Sequence, residues 1–192
     1  MLLMPAASFP DFFKLGLEHI FTGYDHLFFL FGLLLVCTRW RELLLIVTCF
    51  TIGHSLTLAL ATLNLVNLPP RLTEPTIAFT ILFVGAENIW RRGEPPRGRW
   101  TVTLLFGLVH GFGFANVLRE LGVGADGRGI AGPLLGFNLG VETGQLVFAA
   151  LVLPLFWWLR HNPVFARRWV PGLSLFIAMA GLFWLIDRTI MV

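Results

Sequence analysis

Four of the five histidines and several carboxylates of this 192-residue chain fall inside stretches that are otherwise apolar. His19, Asp25 and His26 lie in HIFTGYDH, His54 in FTIGHSLTL, His110 in FGLVHGFGFA and Glu142 in GFNLGVETGQL. Ionisable groups in such stretches are costly to insert and mark functional sites by default. A neutral imidazole binds divalent transition metals through either ring nitrogen, and a neighbouring carboxylate can ligate or orient a ring. His19 and His26 are seven apart, so two turns of a continuous helix put them on one face, with Asp25 about 100° round from His26. These three residues form one candidate ligand stripe. The bland alternative is that the polar groups satisfy one another across packed helices.

The other spans carry polar groups of the same kind. Thr48, Thr51 and Ser55 flank His54. A Ser beside a His invites a nucleophile reading, but adjacent helical residues point about 100° apart, and no G-x-S-x-G elbow surrounds Ser55. Hydroxyls bonded to helix carbonyls are the expectation there. His110 is flanked by small residues at 107, 111 and 115, a spacing of four that lets another backbone approach. Gly132, Gly136, Gly140 and Gly144 repeat that spacing, while Asn138 and Glu142 lie on the opposite side and Gln145 extends theirs. That glycine ridge can pack within one chain or join two copies into a homo-oligomer. Glu87 and Asn88, with Thr80 two turns before Glu87, read either as an exit or proton-relay position or as a helix end reaching the headgroups. Glu74, Asp187 and His161 read as interfacial, and Cys49 as an apolar filler.

The elements that position these residues follow from composition. The chain is 56% hydrophobic and 13% charged, with a mean hydropathy of +0.78. This is too apolar for a soluble domain and predicts an all-α, polytopic transmembrane helix bundle of about six helices, one integral membrane domain over 1–192. The spans are predicted at 12–36, 42–63, 72–90, 100–121, 134–159 and 169–186, separated by CTRW, by Asn67, Pro69 and Pro70, by EPPRGR, by GVGADGRGIAGP and by HNP. A kink is expected at Pro154. His54, His110 and Glu142 then approach the bilayer midplane, His26 falls mid-span, and His19 lies one to two turns nearer one surface. The N-terminal MLLMPAAS lacks the basic and apolar regions of a signal peptide, so cleavage is not expected.

Charge placement predicts orientation. Arg39, Arg41, Arg91, Arg92, Arg97, Arg99, Arg160, Arg167 and Arg168 fall in loops one, three and five, against Lys14, Arg71, Arg119, Arg128 and Arg188 on the other side. The excess places the odd loops in the cytoplasm and both termini outside a cell (inner) membrane. The net charge of +3 forms no stripe that could track phosphates, which excludes nucleic-acid binding. Two cysteines establish no disulfide framework.

Taken in order, H-x5-DH, FTIGHSLTL, AENIW, FGLVHGFGFA and GFNLGVETGQL make the chain resemble the HupE/UreJ family of hydrogenase and urease accessory membrane proteins, over roughly Gly16 to Gln145. The resemblance implies a nickel-handling membrane protein with His19, Asp25, His26, His54 and His110 as metal ligands, and Glu142 added from the fifth motif. The expected function is a carrier or facilitator for a divalent transition metal. Nickel comes first by resemblance, with zinc, cobalt, iron and copper open on ligand type. The rival is an intramembrane metalloenzyme in which a His/Asp-bound metal activates water, as in zinc hydrolases. A scaffold whose polar residues only pack helices is the third reading.

Overall fold

In the computed structural model, residues 8–91, 98–124 and 129–190 are described. The reading of the first seven residues, and Arg92, Arg97 and Arg128 of the charge count, lie outside them. The described residues form α1 (Phe9–Thr22), α2 (Tyr24–Leu34), α3 (Trp40–Thr62), α4 (Pro70–Trp90), α5 (Arg99–His110), a 3-10 turn (Gly111–Phe114), α6 (Ala115–Glu120), α7 (Ala131–Arg160), a π-helical turn (Phe165–Trp169) and α8 (Val170–Ile190). Four stretches, Trp40–Thr62, Arg99–Glu120, Ala131–Arg160 and Phe165–Ile190, are long and apolar enough to cross a membrane. Pro70–Trp90 has 21 residues. Leu44, Ile52, Leu56, Leu151, Leu155, Phe176 and Phe183 are exposed on the outer faces of these helices, the inverse of a soluble surface and the pattern a lipid solvent requires.

Two predicted spans are interrupted. The span expected over 12–36 is two helices, because the chain leaves helical geometry at Gly23, with φ −82° and ψ 93°. A Cβ at Gly23 would lie 2.7 Å from the His19 carbonyl oxygen and 2.9 Å from Nδ1 of His26. Only glycine fits where the imidazole folds back onto the helix end. His19 and His26 therefore do not share a stripe on one continuous helix; they meet as the last turn of α1 and the first turn of α2. The span expected over 100–121 changes helix type immediately after His110, through the GFGF turn, where Gly111 abuts the Thr57 side chain and the His54 carbonyl of α3. By contrast, α7 runs unbroken through Pro154.

Three close helix pairs build the bundle: α1 with α7, α3 with α5, and α4 with α8. Each is seated on glycine. On α7, Gly136, Gly140 and Gly144 face Phe9, Phe13 and Ile20 of α1, so the ridge is occupied within the same chain. Gly53 and Gly107 bring the α3 and α5 backbones together, and Gly85 and Gly181 do the same for α4 and α8. Small residues allow this approach where helices gain no hydrophobic driving force from lipid. The buried side chains form two apolar clusters. One contains Phe29, Leu33, Phe50 and Leu153, and the other Ile20, Leu58, Phe137 and Val141. His54 lies between Phe50 and Leu58 on α3, so a polar layer separates the two clusters.

A Cβ at Gly140 would run into the Phe13 carbonyl, whereas one at Gly132 meets nothing within 4 Å. Gly140→Ala is expected to destabilise the detergent-solubilised protein by about 1–3 kcal/mol, the usual cost of overpacking. Gly132→Ala should leave stability unchanged or raise it by about 0.5–1 kcal/mol through helix propensity. Circular-dichroism melting of the two variants reads the difference.

Candidate metal centre

Three histidines converge at the interruptions. One ring nitrogen from each of His19, His26 and His54 lies within 4.8 Å of those of the other two. Ring centroids are 4.5 Å apart for His19 and His26, 6.0 Å for His19 and His54 and 6.2 Å for His26 and His54. His54 is fully buried, His26 is 7% exposed, and His19 is half-buried. Nε2 of His19, Nδ1 of His26 and Nε2 of His54 are buried with no hydrogen-bond partner. Buried polar atoms in native structures are nearly always paired, so three orphaned nitrogens in adjoining rings call for an explanation. A shared metal ion supplies one.

Aromatic rings enclose the trio. Phe114, on the 3-10 turn, lies 4.3 Å from His19. Phe137 stands 5.4 Å from His19 and stacks on His54 at 6.2 Å. Phe50 closes the opposite side, 6.0 Å from both His26 and His54. His110 stands behind His26, with Nδ1 3.4 Å from Nε2 of His26 and Nε2 2.9 Å from the Thr80 hydroxyl of α4. Nδ1 of His54 is 3.2 Å from Oδ1 of Asn138.

The two carboxylates expected at this site are engaged elsewhere. Both oxygens of Asp25 accept from Nη2 of Arg188, each at 3.0 Å, and Arg188 also pairs with Glu74 at 3.3 Å. Glu142 accepts from the Thr48 hydroxyl at 2.9 Å. The structure thus brings together His19, His26 and His54, sets His110 against the back of His26, and gives Asp25 and Glu142 other partners. Ser55 donates to the Thr51 carbonyl at 2.6 Å, which is the packing role expected of it.

A second buried polar group escaped the sequence reading. Arg99, counted as a loop charge, is 5% exposed and donates to Oδ1 of Asn88 at 2.9 Å. Asn88 in turn donates to the Gly32 carbonyl at 2.8 Å, and Glu87 lies 3.7 Å from Arg99 and 3.1 Å from Arg91. This cluster ties the ends of α2, α4 and α5 together. Glu87 and Asn88 had been singled out in the sequence, but the only signal for Arg99 as their partner was an Arg beside the aromatic start of an apolar run. The partner of Asp25 had none, since Arg188 is 163 residues away.

The family model described as HupE / UreJ protein matches residues 2–188. The chain belongs to the HupE/UreJ family. No curated protein and no solved structure matches it. HupE/UreJ proteins are known as metal-related accessory membrane proteins, and the orphaned nitrogens lie within the segments by which the sequence resembles that family.

Because Asp25 is held by Arg188, Asp25→Asn is expected to weaken a partly exposed ion pair worth about 1 kcal/mol or less without altering metal content. His54→Ala should abolish stoichiometric metal. Melting curves together with elemental analysis of the purified variants separate the two effects.

Proposed function

We propose that this HupE/UreJ protein is a membrane carrier or facilitator for a transition-metal ion, with His19, His26 and His54 holding the ion in passage. The observation that carries this reading is the coincidence of three unpartnered imidazole nitrogens with two helix interruptions, at Gly23 and after His110. Carriers build their sites from broken helices, where irregular backbone is tolerated because it lines a site rather than lipid. Imidazole donors favour nickel, cobalt, zinc, copper or iron over magnesium or calcium, which take oxygen ligands. Nickel is the cargo assigned here, on the family resemblance.

A carrier site must replace the hydration shell yet release its cargo. Three neutral nitrogens do this with less grip than a site containing carboxylates, since no opposite charge holds the ion. With the odd loops cytoplasmic and both termini outside, inward movement of a dication through 100 mV is worth about 4.6 kcal/mol. Membrane potential then suffices as the driving force. His19, the most exposed of the three and packed against Phe114, is the residue an entering ion meets first.

The metalloenzyme reading draws on one feature of the same geometry: three histidines leave a fourth position open, as catalytic zinc sites do. Flux separates the two. In proteoliposomes with an imposed potential, inside negative, the wild type is expected to accumulate radioactive nickel, and His26→Ala and His54→Ala should lower the initial rate at least about tenfold, the scale of loss when a metal site is disrupted. Metal that stays bound without exchange or uptake would overturn the carrier in favour of the enzyme. Wild-type flux in both variants would overturn the trio as the transport site.

A further inference from the structure

His110 stands in the same row of imidazoles as the trio, yet both its nitrogens are already spoken for. Nε2 meets the Thr80 hydroxyl at 2.9 Å, and Nδ1 meets Nε2 of His26 at 3.4 Å. The Thr80 hydroxyl has one proton and also lies 2.7 Å from the Ile77 carbonyl oxygen. A carbonyl can only accept, so it takes that proton, and the Thr80 oxygen is left to accept from His110. Nε2 of His110 then carries hydrogen and Nδ1 carries the lone pair. That lone pair accepts from Nε2–H of His26, and the lone pair of His26 falls on Nδ1. Nδ1 is the nitrogen that has no partner, in a ring whose centroid lies 4.5 Å from that of His19 and 6.2 Å from that of His54.

His54 is set in the same way from the other side. Nδ2 of Asn138 donates to the Leu134 carbonyl at 2.8 Å, which fixes the amide so that Oδ1 faces His54. An amide oxygen accepts only, so Nδ1 of His54, 3.2 Å away, must donate. Its lone pair falls on Nε2, again the orphaned atom. Two independent hydrogen-bond chains, one ending at Ile77 and the other at Leu134, thus leave the lone pair of each ring on its unpartnered nitrogen, in two rings that belong to the close trio. All five side chains and both carbonyls lie inside the bundle, where His54, Thr80 and His110 are at most 1% exposed.

The geometry points to a division of labour, resting on the metal-site reading above: His19, His26 and His54 are the ligands, while His110 with Thr80, and Asn138, are positioning residues that fix which nitrogen of His26 and of His54 bears the lone pair. His110 is accordingly not a ligand. Partners that orient a ligating histidine typically change metal affinity 10–100-fold when removed. The opposite polarity of the first chain, in which Thr80 donates to His110 and His110 to His26, would put a proton on Nδ1 of His26 and close that ligand to metal.

Two measurements on the full chain in nanodiscs test this. In metal-free protein with 15N-labelled histidine, long-range proton–nitrogen correlation spectra are expected to show Nε2–H for His26 and His110 and Nδ1–H for His54. A proton on Nδ1 of His26 or on Nε2 of His54 would overturn the assignment whether or not metal ever binds. In nickel titrations, Thr80→Val, His110→Ala and Asn138→Leu are expected to weaken binding 10–100-fold at unchanged stoichiometry, with Thr80→Ser restoring it and His26→Ala abolishing it. A loss for His110→Ala as complete as for His26→Ala would return His110 to the ligand set. Absence of nickel, zinc, cobalt and copper binding in the wild type, with the expected spectra, would sink the metal reading and leave the hydrogen-bond assignment standing.

Discussion

A polar atom inside a membrane protein has no water to fall back on, and this constraint organises the HupE/UreJ chain described here. Nearly every buried hydroxyl and amide near the site finds a carbonyl or a neighbouring side chain. Thr57 donates to the Gly53 and His54 carbonyls, Ser174 to Val170, and Asn138 to Leu134. Against that background, one nitrogen of each of three adjoining imidazoles is left without a partner; the other such atoms among the described residues are on Thr62 and in the Glu87–Arg99 pair. The chain breaks at Gly23 so that His26 can fold back toward His19, and it changes helix type after His110, where α3 presses against Gly111.

The glycine-seated pairs explain how the site is held and how its geometry can change. Backbone-to-backbone contact within α1·α7, α3·α5 and α4·α8 leaves each pair with little freedom to slide, because a close-packed interface has few alternative arrangements. The three clustered histidines come from different units: His19 from the first pair, His54 from the second, and His26 from α2, which belongs to none of the three. Thr80, behind His110, comes from the third pair. Any displacement of one pair against another therefore alters the separation of the nitrogens while each pair stays intact. A site distributed in this way couples ion binding to the arrangement of the whole bundle, which a site confined to one helix would not do.

Much of this was legible in the sequence, for reasons that differ residue by residue. The all-helical membrane class follows from composition and run length, which the bilayer fixes directly, whereas the expected six spans are only approximate, with four long apolar stretches among the described residues. His26 and His54 were legible because imidazoles in apolar runs are costly and need a purpose. The stripe reasoning joined His19 to His26, whose rings do adjoin, but through the wrong geometry. It assumed a continuous helix, and a lone glycine within an apolar run costs only about 1 kcal/mol in a helix, too little to announce a break. The ligand role drawn for Asp25 could not anticipate Arg188, because the pairing joins opposite ends of the chain. Nor could periodicity tell that the Gly136, Gly140 and Gly144 ridge would be filled by α1. A small-residue face specifies close approach but not the identity of the helix that approaches.

The removal of Asp25 from the trio bears on how a dication can be both bound and released. A carboxylate among the ligands would neutralise part of the charge and deepen the well, whereas three neutral imidazoles leave the ion its full charge in a space walled by Phe50, Phe114 and Phe137. Ring faces present negative potential to a cation, but each such contact contributes only about 0.5–2 kcal/mol, far below the penalty of burying an uncompensated charge. On the carrier reading proposed above, the trio would be a shallow well surrounded by higher ground. Arg188 occupies both oxygens of Asp25 and lies 3.3 Å from Glu74, which engages these two acids away from the imidazoles. A structural metal site is instead closed by four protein ligands, one more than the trio offers. For the carrier proposed above, a site without a carboxylate suits an ion that has to leave.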